Sequence, residues 1–555
     1  MGLRLLIAGG VAAGASCAAR ARRLSEEAEI VVFERTDYPS FSNCGMPYHL
    51  GGVIAERQKI TGGNVKMLRE RFRIDVRTGV EVTRIDRGAK RIEVRDVRTG
   101  RFSWEAYDAL VLAPGAKPIR LPVPGIDLPG VHTLRHVADM DAIAAHLARG
   151  PRRAVVVGGG FIGLEMVENL ARRGLAVALV EKLPQVMPPL DPEMLVRVHG
   201  HLRAKGIALH LGDGLAAIER QGNGLRVVTG SGQSIEGDLV LLSAGVRPDI
   251  ELAQSAGLEI GPRGGIRVDD QMRTSDPHIW AAGDAVEVRD IVTGEPALLA
   301  LAGPANRQGR LAAEAIFGQP SRFRGVQGTS VVGVFDLTVA MTGASERRLR
   351  AAGIPCKAAH LHTADHAGYY PGAQAMHLKL IFDPNRGTVL GAQAVGGRGV
   401  DKRIDVIAMA MQMGATVHDL AEAELAYAPQ YGAAKDPVNM AGMVGVAHLR
   451  GESPLLGWDE IEEADVILDV RTPAEVEGGR VPGSVNIPLD ALRERLGELP
   501  RGQRIAVHCA AGVRSHAATR LLRLRGFDAH NLTGGFRSYE DAEEAGRVAA
   551  RVRRT

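Results

Sequence analysis

The sequence predicts an α/β protein of several domains, and three observations predict it. Two hydrophobic strands run into glycine-rich turns beginning at Gly9 and Gly158. A third strand, near the C-terminus, runs into a short loop opened by Cys509. The chain has 555 residues, room for three or four domains at roughly 150 residues each. It is 45% hydrophobic and 24% charged, a globular balance. A net charge of +4 leaves no nucleic-acid footprint, although dispersed Arg side chains suit an anionic small molecule. Four Cys are too few for a secreted disulfide framework and fit a reducing compartment, the cytoplasm.

The first turn is Leu5-Leu6-Ile7-Ala8-Gly9-Gly10-Val11-Ala12-Ala13-Gly14, and a helix to about Leu24 follows it. The apolar run is not expected to be a signal peptide, because Arg20, Arg22 and Arg23 follow it instead of preceding it. Nothing elsewhere is apolar for long enough to span a membrane. Glu34 ends the next strand, 20 residues past Gly14, with Arg35 beside it. This is a dinucleotide-binding βαβ pattern. Gly9 and Gly14 let the backbone approach a pyrophosphate, the helix N-terminus supplies donors, and the acid accepts from ribose hydroxyls. Val11 stands where the middle glycine is usual.

The second turn is complete. The strand Ala154-Val155-Val156-Val157 leads into Gly158, Gly160 and Gly163 at G-x-G-x-x-G spacing, and Glu181 ends the next strand 18 residues later. An acid there repels a 2′-phosphate, so NADH is expected over NADPH.

Together the two loops resemble the flavoprotein disulfide reductases with two dinucleotide-binding domains. Val111-Leu112-Ala113-Pro114-Gly115 and Leu241-Leu242-Ser243-Ala244-Gly245 fall where that family has its crossing turns. Thr274 to Asp284 resembles its second flavin signature. The resemblance implies FAD on the first loop, NADH on the second, and Asp284 on the flavin's ribityl chain. The implied fold is α/β: two Rossmann-like domains, an α+β dimerisation domain and a C-terminal rhodanese α/β domain. The expected boundaries are 1–118 with 254–325 for FAD, 119–253 for NADH, 326–445 for dimerisation, 446–459 as linker and 460–555 for rhodanese.

Cys44 lies in Ser40-Phe41-Ser42-Asn43-Cys44-Gly45-Met46-Pro47-Tyr48, with no second Cys nearby. This stretch resembles the single-cysteine branch that includes coenzyme A disulfide reductase and CoA-persulfide or polysulfide reductases. There the cysteine alternates between a thiolate and a mixed disulfide with CoA. Gly45 and Pro47 suit early helix positions, so a helix N-terminus is expected to lower the Cys44 pKa. The resemblance also places Ser16, Arg20, Arg23, Ser40, Asn43, Asn306 and Lys435 near CoA, where cations suit its phosphates. Segments around Tyr369 and Tyr427 look like the family's dimerisation domain. In that domain two tyrosines reach the partner subunit's cysteine and can protonate a departing thiolate. A homodimer is implied.

Val466 to Val476 and Gly479 to Leu489 resemble a rhodanese domain, completed by Cys509-Ala510-Ala511-Gly512-Val513-Arg514. A strand, a thiol, a glycine-bearing loop and a helix let backbone N–H groups ring a sulfur anion. The C-x4-R loop is one residue shorter than in the resembling phosphatases, which favours sulfur transfer over phosphate chemistry. Cys17 and Cys356 match no motif and are expected to pack.

The expected activity is NADH-dependent reduction of CoA persulfide, polysulfide or CoA disulfide, with small-molecule thiols and persulfides as partners and no metal. The Cys44 thiolate is expected to attack the outer sulfur of the substrate, and Cys509 to supply sulfane sulfur. Two alternatives stand beside it: a CoA-disulfide reductase with an independent sulfurtransferase domain, and a flavoprotein that senses redox state without turnover.

Overall fold

The computed structural model describes residues 2–62 and 65–547. The C-terminal residues 548–555 of the expected rhodanese domain lie outside them. The chain divides into two compact units: 1–184 with 207–326, and 185–206 with 327–555.

Two five-stranded parallel sheets form the core of the first unit, with smaller sheets of two and three strands beside them. In one, the strand Arg4–Ala8 sits between Glu29–Glu34 and Ala109–Leu112, with Leu5 opposite Ile30 and Ala109. In the other, Arg153–Val157 sits between Ala176–Glu181 and Leu239–Leu242. Residues 5–8 and 154–157 are all buried, because a parallel sheet covered on both faces has no polar side. Both central strands therefore end at a glycine turn that faces outward from the strands' carboxyl ends, the usual ligand crevice of such sheets. Helix Ala12–Leu24 lies against Ala302–Ile316 very closely. A Cβ on Gly309 would come within 2.0 Å of the Ala13 carbonyl oxygen.

In the second unit, a five-stranded antiparallel sheet runs in the order 330–334, 337–343, 389–396, 375–382, 357–364. Helices Val400–Gln412 and Pro437–Leu449 cover it. A parallel sheet follows, ordered 455–456, 528–532, 504–508, 466–469, 485–486, with helices Val513–Leu524 and Gly535–Glu544. Residues 446–459, expected as a linker, hold the last turn of Pro437–Leu449 and the strand Leu455–Leu456. That strand is already part of the parallel sheet, paired with Asn531–Leu532. The two-residue strand is too short for an alternation signal in the sequence. Among the described residues, no helix is long and apolar enough to cross a membrane.

Candidate active sites

The first glycine turn opens into a cleft of about 500 Å³, lined by Gly9, Val11, Glu34, Arg35, Asn43 and Ala113 together with Arg135 and Lys117. Gly9 adopts φ 104°. A Cβ there would lie 2.1 Å from the Ala113 carbonyl oxygen, and one on Gly14 would lie 1.8 Å from that of Gly9. Only hydrogen fits at both places, which keeps the backbone open to a ligand. Helix Ala12–Leu24 has no side-chain cap and no acid in its first turn. Its N-terminal amides are thus available to an anion. Val11 is its N-cap residue at φ −97°, outside the left-handed region that demands glycine. Glu34 accepts from the Gly10 amide at 2.9 Å and from the Thr36 amide and hydroxyl at 2.9 and 2.8 Å. Asp284 pairs with Arg135 at 3.0 Å, which brings the expected flavin aspartate to a cleft-lining cation. These groups fit FAD: a bare pyrophosphate cradle, an anchored ribose acid and a polar cluster further in.

The second turn repeats the construction. Gly158 has φ 108°, and a Cβ on it would meet the Ser243 carbonyl oxygen at 2.4 Å. Gly160 caps helix Phe161–Arg172, which again has no acid in its first turn. A Cβ on Gly163 would lie 1.9 Å from the Gly158 carbonyl oxygen. Glu181 accepts from the Gly159 amide at 2.7 Å and from the Leu183 amide at 2.8 Å. Gly245 has φ 98° at the end of the neighbouring strand. This set fits NADH.

Cys44 is exposed and sits in the 3-10 turn Asn43–Gly45, directly before the short helix Met46–Leu50. Its amide donates to Asn43 Oδ1 at 3.0 Å, and its sulfur lies 3.6 Å from the same oxygen. Gly45 admits no side chain, since a Cβ would press on Ile60 at 2.5 Å. The expected lowering of the Cys44 pKa is overturned. The thiol is raised, first because the protein beside it withholds water, then by the negative charges of Glu165 and Asp284, against which Arg135 pulls. A helix of five residues carries too small a dipole to reverse this. Glu165 was not foreseen in this role. Burial pushes its carboxyl up to about 7, and the Tyr48 hydroxyl donates to it at 3.3 Å. Burial, and then Glu165, hold the Tyr48 phenol up at about 12.

The residues expected near CoA divide between the units. Ser16 donates to Asn306 Oδ1 at 2.5 Å, and Arg20 pairs with Glu314 at 2.8 Å, all on the face shared by helices Ala12–Leu24 and Ala302–Ile316. The Arg23 guanidinium covers the Phe72 ring at 4.9 Å. Ser40 takes φ 56° ahead of the cysteine turn. Lys435 belongs to the second unit, where it lines a cavity of about 580 Å³ that reaches Ala511 and Gly512. Tyr369 and Tyr427 also lie in the second unit, both exposed, with hydroxyls 2.8 Å apart.

Cys509 follows the buried strand Arg504–His508 and precedes helix Val513–Leu524. It is 2% exposed. Gly512, at φ 100°, turns its amide onto the Cys509 sulfur at 3.2 Å. That is one donor of the expected ring. Arg514 is gripped by Glu475 at 2.7 and 2.6 Å. The amides of Phe536 and Arg537 donate to the Cys509 and Ala510 carbonyls at 2.7 and 3.1 Å, a support that no local motif announces. Cys17 is buried and its thiol is pushed up to about 12; Cys356 is pushed up to about 11. Burial is the leading cause for both, and neither is poised as a thiolate.

Comparison with known proteins gives the same three parts. Family models match for pyridine nucleotide-disulphide oxidoreductase at residues 3–309, for its dimerisation domain at 329–436, and for a rhodanese-like domain at 455–542. A coenzyme A disulfide reductase of Staphylococcus haemolyticus is 34% identical over 441 residues, 79% of this chain and 98% of that protein. The structure of reduced Bacillus anthracis CoADR-RHD is similar with TM-score 0.95 and 47% identity, over 98% of this chain and 99% of the other. The NAD-dependent persulfide reductase from A. fulgidus is similar with TM-score 0.88 and 38% identity, over 97% and 100%. A water-forming NADH oxidase from Lactobacillus brevis matches less of the chain, 81%, at 27% identity and TM-score 0.77.

Proposed function

The chain belongs to the pyridine nucleotide-disulphide oxidoreductases, and we propose that it reduces CoA-linked persulfides with NADH, with sulfane sulfur supplied by its own rhodanese domain. The observation that carries the reading is the pairing of two unlike cysteines. Cys44 stands alone and open to solvent beside the first cleft, and Cys509 lies under a backbone amide with no nucleotide turn in its own domain. A lone cysteine that turns over through a disulfide needs an outside sulfur to complete it.

The first cleft would hold FAD against Gly9, Val11, Glu34, Arg35 and Ala113, with Asp284 beside it through its pairing with Arg135. Bound there, FAD supplies the two-electron link between a hydride donor and sulfur, which no side chain provides. Gly158, Gly160, Gly163 and Gly245 shape the NADH site, and Glu181 disfavours a 2′-phosphate. The Cys44 thiolate attacks the CoA-bearing sulfur of the persulfide. A Cys44–CoA disulfide forms, the S–S bond of the persulfide breaks, and hydrosulfide leaves. This corrects the expected attack on the outer sulfur, which would leave a persulfide on Cys44 and release CoA instead. Two electrons delivered to the mixed disulfide return the Cys44 thiolate and CoA thiol. Ser16, Arg20, Arg23, Ser40, Asn43 and Asn306 hold CoA. Tyr369 and Tyr427, contributed across a homodimer, protonate the departing thiolate. Cys509 accepts sulfane sulfur from a donor and passes it to a CoA thiol, with Arg514 holding an anionic donor. A reducing cytoplasm suits both cysteines.

A CoA-disulfide reductase with a separate sulfurtransferase activity is the second reading, favoured by the 34% identical Staphylococcus haemolyticus enzyme. NADH oxidation with CoA persulfide separates the two. The proposal predicts one hydrosulfide per NADH, lost in Cys44→Ser. Turnover with CoA disulfide but none with CoA persulfide leaves the second reading standing.

A further inference from the structure

The turn Gly534–Gly535 is wedged between two parts of the second unit. On one side it carries the Cys509 loop, through the amides of Phe536 and Arg537. A Cβ on Gly535 would come within 2.5 Å of the Cys509 carbonyl oxygen. On the other side is the strand Lys357–Ala364 of the antiparallel sheet. The His360 amide donates to the Thr533 hydroxyl at 2.8 Å, and His362 Nε2 lies 2.8 Å from Ser538 Oγ. A Cβ on Gly534 would fall 2.8 Å from that of His360 and 1.9 Å from Ser538 Oγ. Both glycines take positive φ, 71° and 63°, a conformation that side chains resist. The turn has no slack toward either neighbour.

His362 is tied in from its other nitrogen as well. Arg197 NH2 lies 3.3 Å from His362 Nδ1. A guanidinium only donates, so Nδ1 accepts, and in the neutral ring Nε2 carries the proton and donates to Ser538. The His362 ring lies 4.2 Å from that of His377, whose Nε2 is 3.0 Å from His360 Nδ1. The groups facing this stack are Arg197 from helix Pro192–Ala204, Asp541 (3.6 Å from His377 Nδ1) and Arg537 from helix Gly535–Glu544, and Lys379, Glu193, Glu346 and Arg547 beyond His360. Burial keeps the rings neutral, with His360 down at about 4 and His362 at about 2. The neutral form is the one that can bond Arg197 and Ser538 together.

We infer that His362, supported by His360, is a positioning residue for Cys509, acting through Ser538 and the Gly534–Gly535 turn. The sulfurtransferase centre is therefore completed by the dimerisation domain and is not self-contained in the rhodanese domain. This rests on the sulfurtransferase reading of Cys509.

The test compares full-length wild type with Cys509→Ser, His362→Ala, His362→Gln and Ser538→Ala in two assays. One is sulfur transfer from thiosulfate to cyanide. In it the Cys509 thiolate takes the sulfane sulfur and sulfite leaves; cyanide then takes that sulfur, thiocyanate leaves, and the thiolate returns with no net oxidation. The other is NADH oxidation with CoA disulfide. Sulfur-transfer kcat is expected to fall about tenfold in His362→Ala, the effect of one lost hydrogen bond. Ser538→Ala should match it, the double variant should be no worse, and His362→Gln, which keeps an N–H donor, should recover most of the rate. NADH oxidation should stay at the wild-type rate in the His362 and Ser538 variants. Wild-type sulfur transfer in His362→Ala, or an equal fall in both activities, overturns the inference. If His362→Ala does not fold, Ser538→Ala, which removes one hydroxyl, decides the matter on the same terms. A wild type whose transfer is absent or survives Cys509→Ser overturns the sulfurtransferase reading itself.

Discussion

The hydroxyls of Tyr369 and Tyr427 lie 2.8 Å apart although the residues are 58 positions apart in sequence. The hydrogen bond shared with Tyr427 raises the pKa of Tyr369, so Tyr369 stays protonated and able to donate at neutral pH. If they protonate the leaving thiolate, Tyr369→Phe and Tyr427→Phe each lower NADH turnover by about tenfold to hundredfold. Because they share one hydrogen bond, the double variant should fall short of the summed loss. Steady-state NADH oxidation with CoA disulfide checks both statements.

Glu165 sets a second prediction. Its charge is one of the causes that hold the Cys44 thiol up. A like charge removed from beside an acid lets the acid ionise more readily, so Glu165→Gln should lower the Cys44 pKa. The rate of Cys44 alkylation against pH reports this directly. A midpoint that rises or stays put contradicts the assignment.

The contrast between these pairs and the glycine turns explains what the sequence reveals. Gly9, Gly14, Gly158 and Gly163 each owe their identity to backbone close by in the chain or at the end of an adjacent strand, so spacing alone exposes them. Cys509 and Gly512 are three residues apart, and their geometry is equally local. Asp284 and Arg135 are 149 positions apart, and Ser538 and His362 are 176 apart. Nothing in a local pattern connects them. The Cys44 pKa failed for the same reason: its helix is visible in the sequence, but the burial and then the carboxylates that outweigh the helix come from distant segments. The linker failed at the strand Leu455–Leu456, where two residues carry no periodicity.

Glu475 and Arg514 make the third case. Arg514 holds the Glu475 carboxyl down at about 2, yet both side chains are about one-third exposed, so the pair contributes less than about 1 kcal/mol to stability. Arg514→Ala should therefore fold normally and raise the KM for thiosulfate more than it changes kcat. A normal KM removes Arg514 from donor binding.

Stability against pH tests the histidine stack. His360 and His362 are held below their ordinary value by burial, as is His377. Between pH about 6.5 and about 4 the unfolded chain binds protons there that the folded chain refuses, so stability falls as pH drops through that window. Asp541, raised to about 6 by burial, acts in the opposite direction, one group against three. The urea midpoint should fall from pH 7 to pH 5, and less steeply in His377→Gln.

The most direct test of the central claim is NADH oxidation with CoA persulfide by wild type, Cys44→Ser and Cys509→Ser, with hydrosulfide measured alongside. The account predicts one hydrosulfide per NADH in wild type and none in Cys44→Ser. Cys509→Ser should keep the rate with preformed CoA persulfide and lose it when thiosulfate and CoA must generate that persulfide. Hydrosulfide release at the wild-type rate in Cys44→Ser would contradict it.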